Sequence, residues 1–316
     1  MSDPYAGIRW IWMNGELVEF EKATVHVLSH ALHYGSGAFE GIRCYDTPEG
    51  PAVFRLRDHV RRLVNSCRIY RMPLRFTGEE LAEAVCEIIR ANELGACYIR
   101  PLVYRGFGPL GVDPLRSPVD VAVAAWSWGK YLEQGEDEGV DVCVSSWRRV
   151  APDALPAVAK ATGNYLNAQL VKIEALTNNY AEGIALDAEG FVSEGSGENL
   201  FLVHDGTLLT PPATASLLPG ITRDTVLTLA RDLGIPAREE RISRGQLYIC
   251  DEMFMTGTAA EITPIRSIDR SPVGEGCPGA LTRRLMAEFR NVTGGRTADR
   301  YGWLAPVAQK PVGAIR

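Results

Sequence analysis

A chain of 316 residues can bury about three quarters of its unfolded surface and divide into about two domains. Its composition is 46% hydrophobic and 23% charged, with a net charge of −6 and a pI near 5.5, so an extended phosphate backbone is repelled and nucleic acid is not expected as a partner. The opening MSDPYAGIRWIWMNGEL lacks the charged-then-apolar order of a signal peptide, and no apolar run approaches the roughly 20 residues that span a bilayer; no membrane contact and a cytoplasmic location are the expectations. The seven cysteines are scattered and without a CxxC pair, which predicts reduced thiols buried as small hydrophobes.

In chain order, Trp10 to Phe20 reads as a hairpin, because Asn14-Gly15 supplies the positive φ values of a two-residue turn. FEGIRCY and PAVFRL form a second strand pair around DTPEG. Val60, Leu63, Val64 and Cys67 recur at helical spacing after Asp58, as do Leu81, Val85, Ile88 and Ile89 after Thr77. The strands CYIRPLVYRG and VDVAVAAWSW follow, then the acidic, glycine-bearing stretch GKYLEQGEDEG, which marks a linker. The second half opens with VDVCVSSW and a helix from about Asn164 to Asn178, and continues with strands through EGIALDAEGFVSEG and NLFLVHDGTLLTPP. Helices near 222–233 and 279–290 bracket further strands, including YICDEMFMTG. This pattern predicts an α/β chain with mixed sheets: a small N-terminal domain over 1–126, a linker over 127–136 and a large domain over 137–316.

Lysine is rare, with five in the chain, so a nucleophilic amine can be sought by elimination. Lys22 follows an acidic run, Lys130 lies in the linker, Lys172 is placed on the polar side of a helix and Lys310 lies in a proline-bearing tail. Lys160 stands in LPAVAKATGNY among small side chains before a helix start, where an amine is either desolvated for nucleophilic use or simply solvated in a loop. PGITRD is either an ordinary capped helix start or an anion site at a helix N-terminus, with Gly220 for close approach and Thr222 as a cap; TGTAAEITP is a second anion candidate. Glu194 and Glu198 share the turn SEGSGENLF, and either is a surface carboxylate or a buried one facing a ring nitrogen. His26, His30 and His33, at i, i+4 and i+7, form the rival metal reading, which Val25 and Val27 oppose by resisting helix.

VHVLSHALHYG, FEGIRCYD, HVRRL, YIRPL, AKATGNYLNAQL, EGIALD, SEGSGENLF, LPGITRD and GTAAEITP together, in this order, resemble the bacterial branched-chain aminotransferases of the fold-type IV pyridoxal-phosphate family. That resemblance implies a two-domain fold-type IV architecture with the active site between domains. It also implies pyridoxal 5′-phosphate held on Lys160 as a Schiff base, with Lys160 then moving the proton between substrate and cofactor. By the same likeness Glu194 keeps the pyridine nitrogen protonated and Tyr165 hydrogen-bonds the ring hydroxyl. Arg62, the Ile221 and Thr222 amides and Thr258 hold the phosphate, with Leu218 and Gly220 beside it. Thr258 and Ala259 take the substrate α-carboxylate. The substrate pocket maps onto Tyr34, Phe39, Tyr98, Arg100, Trp128 and Tyr131, with Val112 reaching across from a second subunit, so a homodimer or dimer-based oligomer is implied.

The implied reaction is ping-pong transfer of the amino group of L-leucine, L-isoleucine or L-valine to 2-oxoglutarate, aromatic walls taking the branched chain and Arg100 the distal carboxylate. Within the fold the alternative is a transaminase for D-amino acids or (R)-amines; outside it, a non-catalytic pyridoxal-phosphate binder. Two stretches depart from the family pattern: the small SGA at 36–38, and RGFGPLGVDPLRSP with Arg105, Phe107 and Leu110. Both bear on substrate range and not on the cofactor.

Overall fold

The computed structural model describes residues 5–128 and 138–308. They form two compact units that are not contiguous in sequence: 5–128, 159–163 and 291–308 make one, and 138–158 and 164–290 the other. The sequence pattern alone divides the chain once, at 127–136, of which 129–136 lie outside the described residues. The extra crossings follow from long-range pairing that no local pattern announces. The Phe39 N–H donates to the Lys160 carbonyl at 3.0 Å, and Thr162 Oγ1 donates to the Gly35 carbonyl at 2.6 Å.

The first unit holds β1 (Trp10–Met13), β2 (Glu16–Glu19), β3 (Gly37–Phe39), β4 (Ile42–Thr47), β5 (Gly50–Phe54), β6 (Cys97–Arg105) and β7 (Val119–Trp126). Its helices are α1 (His30–Tyr34), α2 (Leu56–Ile69) and α3 (Gly78–Ala91). Asn14 at φ 51° and Gly15 at φ 105° close the first hairpin as expected. Helix α3 begins at a capping box, the Glu80 N–H donating to Thr77 Oγ1 at 3.2 Å and the Thr77 N–H to Glu80 Oε2 at 2.7 Å. It buries Leu81, Val85, Ile88 and Ile89 beside Leu63 and Val60 of α2 in one core. Along β7 burial alternates strictly, with Val119, Val121, Val123 and Ala125 inward, so that face closes the same core.

The second unit holds β8 (Val140–Arg148), β9 (Glu182–Leu186), β10 (Val192–Gly195), β11 (Asn199–His204), β12 (Thr207–Thr210), β13 (Ala237–Glu239), β14 (Glu252–Gly257), β15 (Glu261–Ile268) and β16 (Ser271–Pro272). Helices α4 (Tyr165–Thr177), α5 (Ile221–Asp232) and α6 (Ala280–Thr293) follow in turn, and β17 (Leu304–Pro306) returns to pair antiparallel with β5 in the first unit's sheet. The second sheet runs β10-β9-β8-β15-β14-β11-β12-β13, mixed parallel and antiparallel. Its interior strand β11 is buried on both sides, and Phe201 stacks on Phe254 of β14 at 5.1 Å. YICDEMFMTG is only partly a strand: residues 244–248 form a 3-10 turn with Ser243 and Gln246 as its capping box, and β14 starts at Glu252. Six of the seven cysteines are buried and free as expected; Cys277 is exposed.

Candidate active site

In the first unit the break between β3 and β4 brings several sequence-selected residues together. The Lys160 amine lies 4.9 Å from the centre of the Phe39 ring, and the Arg100 guanidinium lies 4.8 Å from the same ring. Arg100 Nη2 donates to Tyr98 Oη at 3.1 Å, and Trp128 meets Tyr98 edge-on at 4.3 Å. Gly41 makes room for this wall, since a Cβ there would stand 1.9 Å from Tyr98 Oη. Phe39 is thus shared by an amine and a guanidinium, with further aromatic surface beside them.

Arg62 is held from behind. Its Nε and Nη2 donate to the two oxygens of Glu40 at 2.7 and 2.9 Å, and His59 Nδ1 bonds the same carboxylate at 2.7 Å. Burial works against the charge of Glu40, but Arg62 and His59 outweigh it and keep the carboxyl well below the usual carboxylate range. Burial likewise pushes His59 down, against the pull of Glu40, so the ring stays neutral and Arg62 is the counter-ion. Tyr34 stacks on His30 at 4.5 Å and is half-exposed, Val112 is 88% exposed, and Tyr131 lies outside the described residues.

In the second unit, Glu194 near the end of β10 is buried and surrounded by donors. Its Oε1 is 2.8 Å from Arg149 Nη2, and its Oε2 accepts from the Leu218 N–H at 3.0 Å and from Asn199 Nδ2 at 3.4 Å. Such a set suits a carboxylate and not a carboxylic acid. Glu198, four residues on, is different. Burial and the nearby charge of Glu182 push it up to about 8, only partly offset by Lys172, so near neutrality it keeps its proton. Of the two glutamates left open by the sequence, Glu194 is the one the second unit equips to carry charge.

Helix α5 begins at Gly220, and the Ile221 and Thr222 N–H groups precede the first intrahelical bond, from Asp224 N–H to the Gly220 carbonyl at 3.0 Å. The expected Thr222 cap does not form: Thr222 is a buried residue inside the helix, and the N-cap is Gly220. Glycine is required because a Cβ at 220 would meet Asn199 Oδ1 at 2.0 Å. Asn199 Nδ2 also donates to the Leu218 carbonyl at 2.9 Å, so one amide ties Glu194 to the entry of α5. Thr258 and Ala259 form the turn between β14 and β15, and Tyr165 is the first residue of α4.

Arg149, Asn199, Glu40 and His59 were not singled out by sequence reasoning. Asn199, Glu40 and His59 sit inside stretches that were, SEGSGENLF, FEGIRCYD and HVRRL, but nothing in the pattern marks Arg149. Three other readings change. Lys172 is not solvated on a polar face: its amine bonds the fully buried Glu182 at 2.8 Å. The three histidines share no centre, because α1 is only five residues long and excludes His26. His30 bonds Ser36 and the Gly111 carbonyl, and His33 bonds the Val27 carbonyl. Among the described residues no group of three or more potential ligands could hold a metal. Arg105 is buried and donates to the carbonyls of Pro114, Tyr70 and Arg71, which makes it a strut for the 106–118 loop. The small SGA stretch is explained by packing, since a Cβ at Gly37 would press on Thr162 at 3.1 Å.

The first unit sets an amine beside an aromatic ring and a braced arginine, and the second a glycine-led helix start and a buried glutamate held by an arginine; each set by itself offers groups that suit part of a phosphorylated aromatic aldehyde with a basic ring nitrogen. Comparison with known proteins agrees. Residues 37–268 match the family described as amino-transferase class IV. The branched-chain-amino-acid aminotransferase of Salmonella typhimurium is 54% identical over 94% of this chain and 97% of its own. The crystal structure of the Escherichia coli branched-chain amino acid aminotransferase superposes with a TM-score of 0.93 at 53% identity, covering 95% of this chain and 99% of that one. The T.th. enzyme of the same name, complexed with N-(5′-phosphopyridoxyl)-L-glutamate, gives 0.91 at 47% identity, over 94% and 98%.

Proposed function

We propose that this chain, which belongs to the class IV aminotransferase family, moves amino groups between L-leucine, L-isoleucine or L-valine and 2-oxoglutarate by a ping-pong route on pyridoxal 5′-phosphate. The observation that carries the reading is the sharing of Phe39 by the Lys160 amine and the Arg100 guanidinium, at 4.9 and 4.8 Å. A reactive amine beside an apolar wall suits a branched side chain, and a cation on that wall suits the distal carboxylate of a dicarboxylic partner. The glutamate adduct of the T.th. relative supports the same pairing.

When bound, the cofactor supplies an electron sink for the carbanion left by loss of the α-proton. Lys160 would hold the cofactor through its ε-amine and would move the proton between the substrate α-carbon and the cofactor. Glu194 holds a proton at the ring nitrogen, its carboxylate kept charged and in place by Arg149, Asn199 and the Leu218 N–H. Tyr165 hydrogen-bonds the ring hydroxyl. Arg62, the Ile221 and Thr222 amides and Thr258 bind the phosphate, with Leu218 and Gly220 shaping its rim. Thr258 and Ala259 bind the α-carboxylate. Tyr34, Phe39, Tyr98, Trp128 and Tyr131 exclude water around the side chain, and Val112 of a second copy completes the wall. The exposure of Val112, Leu115 and Phe107 supports a homodimer or dimer-based oligomer. A cytoplasmic setting accompanies this reading, supported by the free buried thiols.

The test is the donor profile of the purified protein with 2-oxoglutarate as acceptor. L-Leucine, L-isoleucine and L-valine are expected to lead. Preference for D-amino acids or (R)-amines would replace this reading with the alternative in the same fold.

A further inference from the structure

One face of α2 does more than carry an arginine. His59, Arg62 and Ser66 stand at i, i+3 and i+7, which brings them to one side of the helix. Ser66 Oγ donates to the Arg62 carbonyl at 2.9 Å and accepts from the Lys160 N–H at 3.0 Å, so the backbone of the lysine is referenced to the same helix. Opposite this face is Glu40, with no solvent exposure, its own N–H donating to the Pro101 carbonyl at 2.9 Å. A fully buried carboxylate is costly unless every oxygen is matched, and here Arg62 takes both oxygens while His59 takes one.

We propose that Glu40 is a positioning residue: through its two-pronged pair it fixes the plane of the Arg62 guanidinium relative to Lys160, so that the cofactor phosphate meets a preset cation. This rests on the reading of Lys160 and Arg62 as cofactor residues given above. Two effects of Glu40 oppose each other. As a counter-charge it weakens the pull of Arg62 on a phosphate; as a brace it removes the rotamer freedom that Arg62 would otherwise lose on binding. The brace dominates, because Arg62 is only 14% exposed and without Glu40 both it and the neutral His59 would turn buried donors toward other partners.

The experiment measures dissociation constants of the full chain, stripped of cofactor, for pyridoxal phosphate and for pyridoxal; their ratio isolates the phosphate. Glu40→Gln is expected to lower the preference for the phosphorylated form about tenfold, the loss of one charge-assisted bond, while pyridoxal binding stays within about twofold. Glu40→Asp, which keeps the charge but shortens the reach, is expected to lower it as well, and it carries the test if the glutamine variant does not fold. An equal loss for both cofactor forms would make Glu40 merely structural, and tighter phosphate binding in Glu40→Gln would make it a counter-charge; either overturns the proposal. Arg62→Ala separates the layers. If it shows no phosphate-specific loss, the reading of Arg62 fails and the proposal with it; if it shows one and neither Glu40 variant does, only the positioning role falls.

Discussion

The two units solve one electrostatic problem in opposite senses. In the first, a buried acid, Glu40, braces a cation, Arg62, and the groups gathered around Phe39 are a lysine and an arginine. In the second, a buried cation, Arg149, braces an acid, Glu194, beside a glycine-led helix start. The contrast separates the roles within each pair. On the proposed reading, one partner sets geometry and the other carries the charge used in binding or chemistry.

Replacing Lys160 tests the first unit most severely. Lys160→Ala is expected to lower turnover by about 10²–10⁴-fold, the range for a lost proton carrier, and to abolish the visible absorbance of lysine-linked pyridoxal. A borohydride-labelled peptide bearing any other lysine would undo the contrast at its root. On the second side, Arg149→Met leaves Glu194 buried without its counter-ion, and denaturant unfolding should show a loss of about 3–5 kcal/mol. A change under about 1 kcal/mol would mean that the pair behaves as an exposed one.

Glu194→Gln should keep the cofactor bound while the proton-transfer step slows by about ten- to a thousand-fold, because an amide cannot hold the ring nitrogen protonated. Unchanged single-turnover rates would shift the role to another group. Arg100→Leu is expected to weaken glutamate and 2-oxoglutarate by about ten- to a hundred-fold and leucine far less, measured on the separate half-reactions. Equal falls in both would mean that Arg100 only supports the wall, and Arg43 of β4, which pairs with Tyr98 of β6, would be tested next.

The last effect, on stability and not on turnover, concerns Glu198. Its pKa is raised from 4.5 to about 8 in the folded chain, so the native state binds a proton that the unfolded state has already released. That contribution is complete below pH 4.5 and is lost as pH rises through about 8. Glu182, Lys172 and Glu194 are the charged groups acting on it. Glu198→Gln should therefore flatten the decline of melting temperature across this window; an unaltered slope would assign the decline to another group.

Much of this was legible in the chain itself. The hairpin at Asn14-Gly15, the capping box at Thr77 and Glu80 and the alternation along β7 are local, so the residues that cause them lie next to the residues they shape. Lys160 stands out by elimination among five lysines. Thr222 misleads because a threonine near a helix start usually caps; only the packing of Asn199 against Gly220 moves the cap two residues earlier. Lys172 misleads because helical periodicity places a side chain on a face without saying that the face covers a buried glutamate.

Element types and the family pattern are readable from the chain, because they rest on spacing, turn chemistry and the order of the motifs, and the proposal of Lys160 as the reactive amine rests on the same motifs. Three-dimensional packing was needed to settle that Glu194 is charged while Glu198 keeps its proton, that Arg62 is braced by Glu40, and that 159–163 and 291–308 belong with the first unit. One cause underlies all three. Charge state and unit membership are set by partners far apart in the chain, which burial and long-range hydrogen bonding bring together only after the sheets have formed.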